Sequence, residues 1–237
     1  MSAPSDTAPR PRARSVRRHA PAVVVILVLN VLVFLGWQAT SAMPGLQRLM
    51  VTHFLVSSAH LARGYAGTLL TSTFSHLELW HLALNMFVLW SFGTILERLW
   101  GTRAFVAFYL LAGVTASASH CLVSSLYIGD GSIPALGASG AIAGLLLVFA
   151  GHFPSHRILL FGVIPVPALG AVLLLVGLDL WGLHAQGAGG GLPIGHGAHL
   201  GGALAGAVAY LVWFRHRVVI GREPRATSSE PPEPSRS

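Results

Sequence analysis

One serine and one histidine stand out because of what surrounds them. Ser139 lies in the run Gly137-Ala138-Ser139-Gly140-Ala141-Ile142-Ala143-Gly144, and His199 lies in Gly197-Ala198-His199-Leu200-Gly201-Gly202. Small neighbours let other backbone come close to both side chains. A hydroxyl and an imidazole that can each be approached closely have the makings of a nucleophile and its general base. Gly202 and Gly206 follow His199 at i+3 and i+7 and share its helical face, so a second helix can pack tightly there. Gly140 and Gly144 make an equivalent small-residue face beside Ser139, which also fits plain helix packing with the serine as an N-cap. An ionisable side chain inside an apolar segment is costly, about 2.5–3.5 kcal/mol for a charged residue on insertion scales, and is usually functional.

His81 and Asn85 form the next constellation. Their i, i+4 spacing puts both on one helix face, and an imidazole N–H and an amide NH2 are both donors. In an acyl-transfer site they could bind the developing oxyanion; as a purely structural pair they would tie helices together. His76, near the end of the same segment, is read as ordering a loop, and Glu97 as tying the turn that follows Arg98. Asp179 is the one acid inside an apolar segment and is read as structural, with no partner that the sequence names. Cys121 is the only cysteine, so no intramolecular disulfide can form, and its apolar surroundings suit a small packed residue. His152 and His156 have helical ligand spacing, but Pro154 stands between them and no His-Glu-x-x-His occurs. Neither a metal nor a cofactor is expected.

The elements that must carry these residues are apolar. The chain of 237 residues is 53% hydrophobic and 10% charged, against roughly 25% charged in an ordinary soluble domain. Six apolar segments are expected as helices: Pro21–Ala39, Leu79–Leu99, Arg103–Leu126, Ala138–Gly151, Ile158–Leu183 and Ala198–Phe214. The first is longer than the apolar core of a signal peptide and is read as a retained span. Residues 1–20 read as a disordered basic cytoplasmic arm, residues 21–216 as a six-helix membrane domain, and residues 217–237 as a disordered cytoplasmic tail.

All fifteen basic residues are arginines, and the net charge is +7. With both termini inside, thirteen arginines fall on the inner side, leaving Arg48 and Arg63 outside. The charge therefore reports membrane topology, and no nucleic-acid partner is expected. The expected location is the cell membrane, multi-pass, with cytoplasmic N- and C-termini. The fourth segment is too short to cross about 30 Å of hydrocarbon at 1.5 Å per residue. It must end within the membrane, with Ser139 at its N-terminus and the preceding loop dipping in to meet it. Irregular backbone at that depth survives only beside protein or water, so a polar pocket is expected around Ser139.

Together these pieces resemble the rhomboid intramembrane serine proteases. The matching residues are His81-Leu-Ala-Leu-Asn85, Glu97-Arg98 with Gly101, Gly137-Ala-Ser139-Gly140, and Ala198-His199-x-x-Gly202-x-x-x-Gly206, in the family's order and on its second, fourth and sixth spans. The resemblance implies an all-α, polytopic six-helix bundle with a short fourth helix. It implies Ser139 as nucleophile and His199 as base in a dyad, with an oxyanion hole from His81, Asn85 and the Ser139 N–H. It implies a lipid bilayer around the protein and transmembrane proteins as substrates. Two positions depart from the pattern. Gly67-Thr68 stand where family members commonly carry Trp-Arg, an interfacial anchor for the first loop. Ala143 stands where the family usually has an aromatic residue beside the catalytic histidine, which leaves the orientation of His199 open. Two other readings are an inactive relative that binds membrane helices without cutting them and, more weakly, a small transporter.

Overall fold

A computed structural model describes residues 19–160 and 163–215 of the chain. Seven helices of more than one or two turns organise it: α1 (Pro21–Ala42), α2 (Pro44–Phe54), α3 (Leu79–Trp100), α4 (Thr102–Ile128), α5 (Ser139–His152), α6 (Ala168–Gly187) and α7 (His196–Phe214). Five of these, α1, α3, α4, α6 and α7, are long and apolar enough to cross a membrane, and α5 is the short sixth. The all-α, multi-pass architecture expected from the sequence is therefore present. The arm before residue 19 and the tail after residue 215 lie outside the described residues.

α5 sits at the centre. Of its fourteen residues eight are buried, from Gly140 to Ala150, so it is apolar all round rather than on one stripe. α4 packs beside it through Phe105, Phe108, Tyr109 and Ala112, all in the main core. α6 is the peripheral helix: of twenty residues only Ala168, Ala171, Val172 and Gly182 are buried, while Leu173, Trp181 and other large apolar side chains face outward. Such outward apolar surface is what a lipid environment covers.

Glu97 closes the far end of the bundle. Its buried carboxylate accepts from the N–H groups of Ala22 and Val23 at 3.0 and 2.9 Å and from the Thr102 hydroxyl at 2.8 Å. It thus satisfies free N–H groups at the start of α1, where a helix end needs acceptors, and also holds the turn into α4. That turn passes through Gly101, whose φ of 85° suits glycine.

Two expectations about the chain path change. The segment expected as one helix from Ile158 opens instead as an antiparallel hairpin, Arg157–Leu160 paired with Ile164–Pro167, and α6 starts at Ala168. Pro165 and Pro167 lack the N–H that a helix interior uses, which holds this stretch extended and outside the helix. The last helix starts at His196, two residues before the expected Ala198. The connection after α1 is also partly helical, with α2 and shorter turns at Ser58–Ala62 and Thr68–Thr71.

Candidate active site

Ser139 is the first residue of α5, and Ala138 is its N-cap. The serine is thus not the cap, and its hydroxyl is free for other bonds. The first α5 N–H to find an intrahelical partner is that of Ile142, which donates to the Ala138 carbonyl at 3.0 Å. The N–H groups of the first turn before it, Ser139 included, point beyond the helix end and can receive an anion.

Irregular backbone leads to this point and is held by protein. Ala135 pairs with Val56 in an isolated antiparallel bridge, and the Gly137 N–H donates to the Ser72 carbonyl at 2.9 Å. His120 Nε2 contacts the Ile133 carbonyl at 3.0 Å. Gly137 has a φ of 118°, which a side chain would strain. A Cβ there would also lie 3.0 Å from His81 Cε1, 3.2 Å from His81 Nε2 and 3.8 Å from Ser139 Oγ. His81 and the serine therefore face the same small space.

The glycines of α5 and α7 bring the histidine in. A Cβ on Gly202 would lie 1.8 Å from the Gly140 carbonyl oxygen, and one on Gly206 would lie 2.4 Å from that of Gly144. No side chain fits between these backbones. The packing face thus also brings Ser139 and His199 together. With the helices in contact, His199 Nε2 stands 2.9 Å from Ser139 Oγ.

The other edge of the His199 ring meets Asp179 from α6. His199 Nδ1 is 2.9 Å and His196 Nδ1 is 2.7 Å from the same oxygen, Asp179 Oδ1. A carboxylate only accepts, so both Nδ1 atoms carry protons that they donate to it. In a neutral imidazole that leaves the other ring nitrogen as the acceptor. His199 Nε2 therefore accepts the Ser139 hydroxyl proton. The sequence reading treated Asp179 as a structural acid and did not single out His196. The signal was present as two i, i+3 pairs, Asp179 with Gly182 and His196 with His199. Gly182 makes the room: a Cβ there would lie 2.3 Å from His196 Nε2. These three side chains also bring one carboxylate oxygen and two ring nitrogens within 4.8 Å of one another, a donor set that could hold a divalent cation. Here the nitrogens are hydrogen-bonded to the carboxylate, and a cation would have to break both bonds.

On the opposite wall, Asn85 is buried and its Nδ2 donates to the His81 carbonyl at 2.9 Å, which leaves one amide N–H uncommitted. The His81 ring packs edge-on to His76, centroids 4.8 Å apart. His76 is fully buried in the loop before α3, and the Ala138 N–H points at its Nε2 over a long 3.5 Å. Burial, and secondarily the nearby His81, pushes the His76 pKa down to about 3. His152 and His156 each pack against aromatic rings, His152 on Tyr210 and His156 on Phe149. Cys121 is buried, as a small packed residue would be.

Ser139, His199, His81, Asn85, Ala143 and Asp179 all line one cavity of about 1090 Å³. The loop stretches 133–137 and 189–195 line the same cavity. The arrangement sets a hydroxyl against an imidazole nitrogen at a helix N-terminus, in a cavity with room for a segment of polypeptide.

Comparison with known proteins bears on the family of the chain. A model of the rhomboid domain matches residues 63–216. The chain is 35% identical over 206 residues to the presenilin-associated rhomboid-like protein, mitochondrial, of Mus musculus, covering 85% of this chain and 51% of that protein. It is 36% identical over 192 residues to rhomboid protein 1, mitochondrial, of Saccharomyces cerevisiae, covering 78% and 51%. With RHOMBOID-like protein 12, mitochondrial, of Arabidopsis thaliana it shares 32% over 208 residues, covering 82% and 58%. The chain thus spans about half the length of these relatives. The expected cell-membrane location is corrected by them, since all three are mitochondrial proteins. Arginine placement distinguishes the two sides of a membrane and carries no information about which membrane it is. The multi-pass membrane character stands. A match over most of the chain, on a bundle of this form, shows that the chain belongs to the rhomboid family.

Proposed function

We propose that this protein is an intramembrane serine endopeptidase that cuts transmembrane protein substrates with Ser139 and His199. The observation that carries the reading is the 2.9 Å contact between Ser139 Oγ and His199 Nε2 inside a cavity large enough for a peptide segment. His199 takes the hydroxyl proton as the oxygen attacks the scissile carbonyl, and returns it to the departing amine. The oxyanion is received by the Ser139 N–H with the side chains of His81 and Asn85. Water then resolves the acyl-enzyme. A peptide bond inside a helix is hindered and hydrogen-bonded, so substrates need a segment that unwinds, with Gly or Pro near the cut. The catalytic unit in this proposal is the membrane domain of residues 21–216, with residues 1–20 and 217–237 as flanking tails.

The test is cleavage of a transmembrane substrate by purified protein in liposomes, together with labelling by a fluorophosphonate. Wild type should cleave and should label at Ser139. Ser139→Ala should abolish both, and His199→Ala should lower both by at least about 10³-fold. Cleavage that survives both substitutions would overturn the mechanism. A folded wild type that neither cleaves nor labels would favour an inactive relative that binds membrane helices.

A further inference from the structure

We infer that Asp179, itself held by His196, is the positioning residue that sets the tautomer and the ring orientation of His199. The inference rests on the proteolytic reading above and adds a third and a fourth member to its pair.

Three observations lead to it. The first is connectivity. Ser139 Oγ, His199 and Asp179 form an unbroken chain, 2.9 Å from hydroxyl to Nε2 and 2.9 Å from Nδ1 to Oδ1. It crosses from α5 through α7 to α6. The second is the need for it. A neutral imidazole has two tautomers, and only the one protonated at Nδ1 leaves Nε2 able to accept from Ser139. An acceptor-only group at Nδ1 selects that tautomer. Ala143, one turn beyond the serine and lining the same cavity, is too small to brace the ring in any other way.

The third observation is His196. Its ring is buried, its Nδ1–H donates to Asp179 Oδ1 at 2.7 Å, and its Nε2 is buried without a hydrogen-bond partner among the described residues. A histidine that spends one nitrogen on Asp179 and leaves the other unbonded is fixed by the carboxylate alone. Gly182 is what admits the ring against α6. α6 buries only four of its twenty residues, so this carboxylate and its two histidines are a large part of what joins it to α7.

The groups that face His199 are therefore Asp179 from α6, His196 from its own helix, Ser139 from α5, and His81 from α3, which is near enough for their charges to interact. When Ser139 attacks a carbonyl, its proton moves to Nε2 and the ring becomes an imidazolium. Nδ1–H stays on His199, and Asp179 remains an anion opposite the new charge. Only Asp179 among these groups offers a negative charge at that moment.

The experiment uses the full chain in liposomes and reads the fluorophosphonate labelling rate, the final labelled fraction, and kcat and KM for a transmembrane substrate. Asp179→Asn is expected to lower the labelling rate and kcat by roughly 10²–10⁴-fold, as loss of the equivalent carboxylate does in soluble serine proteases. KM should stay within about threefold and the final labelled fraction should stay near that of wild type, because the slow sites are still intact sites. A merely structural role would instead lower the labelled fraction and leave the rate per intact site alone. His196→Ala should lower the rate about 10-fold, in the range seen when outer partners of a working histidine are lost. His196→Asn, which restores a donor towards Asp179, should recover most of it.

If Asp179→Asn does not fold, the two His196 variants decide. A folded Asp179→Asn with a labelling rate within about threefold of wild type overturns the inference, as does a folded His196→Ala with no loss of rate. Ser139-dependent labelling in wild type alongside either result locates the failure in the inference alone. No labelling in folded wild type overturns the proteolytic reading and the inference with it.

Discussion

The two walls of the cavity are built in opposite ways. One wall is the α5–α7 seam, where backbone meets backbone and Gly202 and Gly206 have no space for even a methyl group. The other is the first half of α3, where only Leu82 and Asn85 are buried and the working groups are side chains. The seam fixes a distance, because hard contact between main chains has no rotamers to adjust. The α3 wall presents donors whose positions depend on hydrogen bonds, such as the one from Asn85 to the His81 carbonyl. On the proposed mechanism, Ser139 and His199 stand on the rigid wall and His81 and Asn85 on the adaptable one, which puts precision where a proton would pass. Such transfers need reacting groups within about 3–3.5 Å.

The sharpest way to break this contrast is at the seam. Gly202→Ala puts a carbon 1.8 Å from the Gly140 oxygen, so the helices must separate by more than 1 Å. A displacement of that size costs on the order of 10²-fold or more in rate. Overpacking adds about 1–3 kcal/mol of destabilisation. Gly206→Ala, one turn further from Ser139 and His199 and 2.4 Å from its neighbour, should cost less in rate for a similar loss of stability. Labelling rates and thermal midpoints of both variants in detergent check this. Equal activity in the two would mean that the seam does not set the Ser139–His199 distance.

Much of the seam is legible in sequence, because glycines at i+3 and i+7 after a histidine admit few readings. The short α5 is legible too, since apolar length converts directly to reach. What escaped has physical reasons. Asp179 and His196 are far apart in sequence and meet only because α6 leans on α7, so their pairing has no local periodicity. The hairpin at Arg157–Pro167 is as apolar as a helix start, and only its prolines distinguish it. Which membrane holds the chain is not legible in its arginines, because charge bias reports the sides of a membrane and not its compartment.

The α3 wall should respond more gently. On the proposed mechanism Asn85→Ala removes one of several donors around the oxyanion and should lower kcat by about 10²-fold, the low end for loss of such a donor. KM and the thermal midpoint should change little, because the lost amide bond is to the helix's own backbone. Single-site kinetics on a transmembrane substrate would show this. A rise in KM with kcat unchanged would instead make Asn85 a substrate-binding residue.

The smallest effect is expected where the two walls touch, at His76. This loop histidine packs on His81 and lies under the N–H of Ala138, next to Ser139. Its folded pKa of about 3 is far below the ordinary value of 6.5. In the unfolded chain it takes up a proton near pH 6.5, while the folded protein refuses one until about pH 3. Folding thus becomes less favourable as pH falls through that window, and the stability present above pH 6.5 is lost on the way down. His76→Gln keeps an acceptor for the Ala138 N–H and removes the titration. Thermal midpoints of the two proteins in detergent should converge, or cross in favour of the variant, as pH is lowered from 7.5 to 5. The shift should be a few degrees, at about 2–4 °C for each kcal/mol in a chain of this size. Parallel curves would mean that the buried ring gains its proton as readily in the fold as outside it, and that the two walls meet through a softer contact than the packing implies.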